Sequence, residues 1–440
     1  MKSWVRVSLA VAGVALLGGC GIFKSHERKT PVLGQRVPIL LSENDIVADK
    51  TIASVNVDVP EAVTNDSWAQ PGGNAQKSMG HVALGGTLRR VWQVSIPGSN
   101  GKERLAASPA VAADTVFVID VDGVVHAISA DNGRERWKHE TITDRKNRGA
   151  RFGGGVSYDD GKLYATNGLG DVVAMDAKTG SILWTKKPGG PLRGAPTIAA
   201  DNLYVQTQDN QLFALAKADG NTLWTESASL ETQGVFGVAA PAVAQGTVVA
   251  GFSSGELNAY RYENGRALWN DALSRTSMST SVSALADIDA EPVIDGGRVY
   301  AIGQGGRMVA LEVVSGQRLW EQNLAGIATP WVAGPWLFVV TDDARLLCIA
   351  RDSGKIRWIS QLRHYQNEKG KSKPYGWKGP LLAGGRLLLI NSRGDIVSAS
   401  VADGKVQSVI KTGQPFTLAP VVANGALFLL DDKGKLSAWR

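Results

Sequence analysis

The chain has 440 residues, 44% hydrophobic and 20% charged, a composition that excludes a disordered or fibrous protein. Gly at 51 and Trp at 13 are frequent, while only two cysteines, Cys20 and Cys348, are present, which excludes a disulfide framework and a cysteine zinc cluster. The formal net charge of +6 is small for this length and does not point to nucleic acid as a partner.

The chain opens on MKSWVRVSLAVAGVALLGGC. Lys2 and Arg6 precede an uncharged stretch from Val7 to Leu17, too short to span a bilayer, which is the pattern of a secretory signal. It ends in Leu17-Gly18-Gly19-Cys20, which resembles the bacterial lipobox. That resemblance implies a signal peptide over 1–19 and a lipidated Cys20 as the first mature residue. An Asp after the cysteine would resemble an inner-membrane retention signal. Gly21 stands there instead, so the expected location is the periplasmic face of the outer membrane. Several acyl chains would anchor the protein stably where one is marginal. Residues 20–64 contain Pro31, Pro38 and Pro60 and no sustained period, and are expected to form a tether, with a short strand around Ile52 to Val57.

From residue 65 onward the chain is a repeat. DNGRERW ends at Trp137, KTGSILW at Trp184, ADGNTLW at Trp224, ENGRALW at Trp269, VSGQRLW at Trp320 and DSGKIRW at Trp358. A seventh copy, ADGKVQS, has Ser408 in place of Trp. Pro109, Pro196, Pro241, Pro292, Pro330 and Pro380 each precede the turn glycine by 24 positions, with Val156 in that place in the second copy. Eighteen positions after this site comes a small residue: Ala127, Ala174, Ala214, Ala259, Ala310, Cys348 or Ser398. Alternating apolar runs broken by Asp-Asn, Ser-Gly and Gly-Gly predict four short antiparallel strands per unit. A period of 40–50 residues with four strands predicts propeller blades. Pro420 starts an eighth unit that ends before its Trp, and the unpaired strand RRVWQVSI carries Trp92. The fold class expected is therefore an all-β, eight-bladed propeller over 65–440. Its last blade is closed by an N-terminal strand, which removes a free edge.

The repeat absorbs most of the chemically suggestive residues. Evenly spaced tryptophans read as packing between blades, and Cys348, in the small-residue slot, reads as a buried substitute for Ala. Gly251-Phe252-Ser253-Ser254-Gly255 has the G-x-S-x-G form but falls in a strand-to-strand turn, not the strand–turn–helix that a nucleophile elbow needs. The five histidines lack paired metal-ligand spacing. Neither catalysis nor a bound cofactor or metal is expected.

The unit from Ala174 through Asp176, Thr179 and Gly180 to Trp184 resembles the quinoprotein repeat. Two families use it: the pyrroloquinoline-quinone dehydrogenases and the BamB family, lipoprotein subunits of the outer-membrane β-barrel assembly machinery. The stretch from Trp68 to Asn74 resembles the start of either. Lipobox, tether and eight blades together resemble the BamB family over the whole chain. The dehydrogenase is the alternative, and no recognisable set of Ca²⁺-binding and basic carboxylates or adjacent cysteines supports it. The BamB resemblance implies a non-catalytic scaffold that docks on the POTRA region of BamA, with unfolded outer-membrane proteins as further partners.

Length varies only between each Trp and the next Pro site. The interval is 12 positions from Trp184 and 10 from Trp320, but 17 from Trp224, 23 from Trp269 and 22 from Trp358. Variable loops on a rigid ring are where binding resides. From the residues alone, Val235 and Phe236 either seal a blade junction or form an epitope beside Asp287 and Asp289, which either cap turns or bind. The BamB family carries L-x-D-x-D-x-x-P here, matched by Leu285, Asp287, Asp289 and Pro292. The resemblance implies that the two aspartates contact BamA. The family's L-x-L-R-G segment falls on Gln233, Val235, Phe236 and Gly237, where the second Leu is replaced conservatively and the first Leu and the Arg are not retained.

Overall fold

A computed structural model describes residues 46–143, 153–230, 239–273 and 286–440. Among these residues there are eight four-stranded antiparallel sheets and one small two-stranded hairpin. The blades, in chain order, span 110–140, 154–186, 197–227, 242–272, 293–322, 331–361, 377–411 and 421–439. The eighth takes Arg90–Ser95 as its outer strand, paired with Lys435–Trp439.

In blades 1 to 7 the strands follow chain order from the axis outward. The proline explains why the innermost strand is short. Pro has no N–H, so in six blades ladder pairing begins only after it, and three-residue strands start at Ala110, Thr197, Ala242, Val293, Trp331 and Val421. In blade 7 the inner strand Trp377–Ala383 instead pairs on both sides of Pro380, across an irregularity in register. Val156 retains its N–H, and the inner strand of blade 2 accordingly runs Gly154–Asp159 and pairs straight through it.

The small residue lies directly opposite the Trp: Ala127↔Trp137, Ala174↔Trp184, Ala214↔Trp224, Ala259↔Trp269, Ala310↔Trp320, Cys348↔Trp358 and, across the chain ends, Ala438↔Trp92. A bulge follows the pair in every sheet that a single stretch of chain completes. Each ring then lies on the turn glycine of the next blade. A Cβ on Gly354 would come 2.7 Å from Trp320, and the Trp320 indole N–H donates to the Arg351 carbonyl at 2.8 Å. Gly354, at φ +70, can be neither bulkier nor easily anything but glycine.

Residues before the eighth blade's strand do more than the tether reading expects. The described stretch 46–64 lies on the ring: Asp49 N–H donates to Ile356 O, Arg357 Nε donates to Val55 O, and Val57 and Val59 pack on the core. The strand expected at Ile52 to Val57 is not formed. Lys50–Ile52 is one 3₁₀ turn capped by Asp49, whose side chain accepts from Thr51 N–H.

Residues 65–84 then circle the axis and bond to the innermost strand of every blade. Asn65 bonds Asn424 and Val422, Trp68 pairs both ways with Val111, and Ala69 O accepts from Tyr158. Gln70 grips Ile198, Ala75 O accepts from Val243, and Gln76 O from Ile294. Gly80 O accepts from the Trp331 indole, and Val82 pairs with Leu382 and Gly384. These inner strands are sheet edges whose free N–H and C=O groups need partners, and the encircling segment supplies them.

Candidate functional site: the loop face and the central well

The encircling segment lies toward the face that carries the turns between first and second strands. His81 Nε2 accepts from Gly385 N–H in such a turn, and Pro60 covers Gly334 in another. The opposite end of the axis is a well of about 140 Å³. Its floor includes Trp68, Pro71, Gly72 and Lys77, and its wall is built from the residues that lead into the inner strands. Trp68 and Trp331 lie nearly parallel there, with ring centroids 6.1 Å apart. Described residues of the connections into blades 3 and 5 contribute Ala195, Asp289 and Glu291 to it, and the start of blade 7 contributes Lys378 and Gly379.

Asp287 and Asp289 belong to the connection entering blade 5, and both carboxylates turn inward. Ile288 between them is fully buried at the junction of blades 4 and 5, where a Cβ on Gly251 would lie 2.4 Å from it. Seating Ile288 there places both carboxylates on the Arg193 guanidinium, Asp287 at 3.3 Å and Asp289 at 3.5 Å. All three side chains are buried, with 1%, 7% and 4% exposure for Asp287, Asp289 and Arg193. Truncating Arg193 would leave both buried carboxylates uncompensated, which is costly. Arg193 itself comes from the connection entering blade 3, so the cluster ties together loops distant in sequence.

Three more charged side chains line the well, Lys77, Glu291 and Lys378, and Asp342 interacts electrostatically with Lys378. Lys77 donates from Nζ to Pro71 O at 2.9 Å and to Thr197 Oγ1 at 3.0 Å. Burial lowers its pKa to about 8, against the pull of Glu291. Burial also raises Glu291 and Asp342 and lowers Lys378. Asp289 is pushed up to about 7, first by burial and then by Asp287, while Arg193 and Lys378 oppose the rise. The arrangement is a nearly balanced set of buried charges in a low-dielectric pocket. Gly72, at φ +66, permits it: a Cβ there would sit 2.7 Å from Lys77 Cδ and 2.9 Å from Glu291 Oε2.

The remaining sequence candidates divide cleanly. Cys20, Gln233, Val235, Phe236 and Leu285 lie outside the described residues. Cys348 is buried, and burial pushes its thiol up, away from reactivity. Ser253 is in a strand-to-strand turn and donates to Asn210 Oδ1. His126 is buried between Asp120 and Glu135, each at 2.9 Å. No cluster of three or more His, Cys, Asp or Glu able to hold a metal occurs among the described residues.

Sequence reasoning missed Arg193, Lys77, Glu291 and Lys378. A register signal was available for two of them. The residue just before the blade proline lines the well in blades 1, 3, 5, 6, 7 and 8, as Ser108, Ala195, Glu291, Thr329, Gly379 and Ala419. Glu291 is the one charged residue in that series. Arg193 and Asp289 occupy the same place, three before their proline.

A family model described as outer membrane protein assembly factor BamB matches residues 82–151 and 122–360. The chain is 27% identical over 357 residues to the BamB of Yersinia pestis, covering 80% of this chain and 88% of that one. It is 28% identical over 351 residues to the BamB of Escherichia coli K12, covering 78% and 86%. Among solved structures, BamB from Moraxella catarrhalis superposes with a TM-score of 0.68 at 19% identity, over 80% of this chain and all of that one. A europium-containing methanol dehydrogenase superposes with a TM-score of 0.66 at 15% identity, over 83% and 89%. At such identities the two structures show the shared propeller fold and nothing about chemistry.

Proposed function

The chain belongs to the family of the outer membrane protein assembly factor BamB, and on that premise we propose that it is a non-catalytic scaffold for outer-membrane protein assembly. Its variable-loop face docks on the POTRA region of BamA, and a lipid on Cys20 holds it to the periplasmic face of the outer membrane. The observation that carries this reading is the family match, which runs through most of the ring, together with relatives named as assembly factors along most of their length.

The geometry suits such a role. Eight blades of constant frame leave one face on which the connections vary in length, while residues 65–84 close the centre of the other. In the sequence, the segment before blade 4 carries Gln233, Val235 and Phe236, and the segment before blade 5 carries Asp287 and Asp289. We take both as docking loops. The aspartates serve docking by bracing their loop against Arg193, because their carboxylates are already engaged inside the chain. A rigid surface of this kind would orient BamA's periplasmic arm and widen the platform that receives unfolded barrel proteins.

Affinity capture of the lipidated protein from outer membranes tests the reading. BamA is expected in the eluate, and its absence under conditions that retain the other membrane lipoproteins would refute the assignment. The anchor has its own test. Cys20→Ser should leave the protein unprocessed or mis-sorted, and unchanged outer-membrane fractionation of that variant would exclude a lipid on Cys20.

A further inference from the structure

The connection from blade 6 to blade 7 carries a feature that the docking reading leaves unused. It folds into a hairpin, Tyr365–Asn367 paired with Ser372–Pro374, built on the loop face. The hairpin is well braced at its base. Trp377 Nε1 donates to Arg363 O, and Glu368 accepts from Tyr365 N–H. The guanidinium groups of Arg363 and Arg393 lie 5.4 Å and 5.9 Å from the Tyr375 ring centroid. Its outer part, from Gln366 to Pro374, is wholly exposed, and all its side chains but that of Pro374 are polar or charged. Lys369, Lys371 and Lys373 project there with no ion pair among the described residues, and Arg363 and Arg393 are exposed beside them. Glu368 is the sole carboxylate in this stretch. An exposed, braced, basic element with no apolar side chain in its outer part but that of Pro374 fits a negatively charged surface that it touches without penetrating.

The chain's path says which surface. Asp49 N–H bonds Ile356 O at the start of the outer strand of blade 6, Ile356–Gln361, and Ile46 packs with Ile359 against one core cluster. The described chain therefore first meets the ring on the blade 6 strand from whose far end the hairpin emerges. Residues 20–45 span on the order of 90 Å when extended, so an anchor alone would leave the ring free to turn. A second contact, weak in itself, gains a high effective concentration from the tether and can fix the orientation.

We infer that the hairpin 365–374 rests on anionic phospholipid of the membrane that carries the anchor, and so orients the ring. This rests on the lipid-anchor reading above, but its test does not. The mature chain from residue 20, with Cys20→Ser so that no acyl chain contributes, is floated with vesicles of phosphatidylcholine containing phosphatidylglycerol. Pure phosphatidylcholine vesicles are the control. Binding is expected only to the anionic vesicles, and it should fall as salt rises. Each lysine near an anionic surface is worth about fivefold, so Lys369→Gln/Lys371→Gln/Lys373→Gln should lower the partition coefficient about a hundredfold. These exposed substitutions leave the core untouched, which circular dichroism verifies. Equal partition of parent and triple variant, or no binding to anionic vesicles, overturns the inference. Loss of affinity for BamA in the triple variant without a change on vesicles would assign the hairpin to an acidic protein surface, and equally overturns it.

Discussion

The tryptophan in each blade is a latch between neighbours, not an ornament of the repeat. Its ring covers the next blade's turn glycine and its indole N–H satisfies a carbonyl there, as Trp224 does with Gly265 and Tyr262. This explains Ser408. The blade after it has no turn between its third and fourth strands: the third ends at Trp439, the fourth begins at Arg90, and Arg440 and Arg89 merely exchange backbone hydrogen bonds. A tryptophan at 408 would have no glycine to cover. Trp320→Ala should therefore cost about 3–5 kcal/mol in denaturant unfolding, whereas Ser408→Trp should change stability by no more than about 0.5 kcal/mol. A large gain from Ser408→Trp would show that the latch needs no turn.

Asp289 gives a second prediction at this scale. Its folded pKa of about 7 lies above the ordinary 3.8, so between those values the folded chain holds a proton that the unfolded chain releases. Stability contributed by this group therefore falls as pH rises through that window. Asp289→Asn removes the dependence. The variant should match the parent below about pH 4 and become progressively more stable than the parent up to about pH 7. Melting temperatures across that range check it, and a variant that loses ground as pH rises would show that the ion pair with Arg193 outweighs burial.

Among the elements, the strands were legible and the encircling segment was not. Fixed intervals from Pro to small residue to Trp exposed the blades, because each position has one recurrent neighbour. The closing strand was legible because Trp92 and Ala438 were each missing a partner, and the structure pairs them. Residues 65–84 have no period because they meet a different blade every few residues, so no repeat could betray them. Asp287 and Asp289 were legible as residues of a variable connection, and only the burial of Ile288 shows that their carboxylates turn inward to Arg193. Truncation tests this scale. Deleting residues 20–64 removes the packing of Val57 and Val59 and hydrogen bonds such as those of Asp49 and Val55, and should lower the melting temperature modestly. Deleting residues 20–96 also takes the encircling segment and the outer strand of blade 8, and should abolish cooperative unfolding. Equal melting temperatures for the two would contradict closure by the N-terminal strand.

At the scale of the whole molecule, the division of labour is between two faces. One is closed at its centre by the chain's own N-terminal segment, which pairs the inner sheet edges and leaves little there for a partner to extend. The other gathers the connections that vary, around a well whose charges are largely matched within the chain. A scaffold needs that asymmetry: a rigid frame, and a single side on which sequence can change without disturbing the blades. The most direct test is calorimetric titration of the isolated periplasmic region of BamA against the mature chain and two variants. Val235→Asp/Phe236→Asp alters the proposed docking segment, and Glu263→Lys alters an exposed turn between the third and fourth strands of blade 4. The account predicts that the docking-segment variant loses at least tenfold in affinity, about 1.4 kcal/mol, while the turn variant binds like the parent. Parent affinity in the docking-segment variant, or a loss confined to Glu263→Lys, would contradict docking through the variable loops.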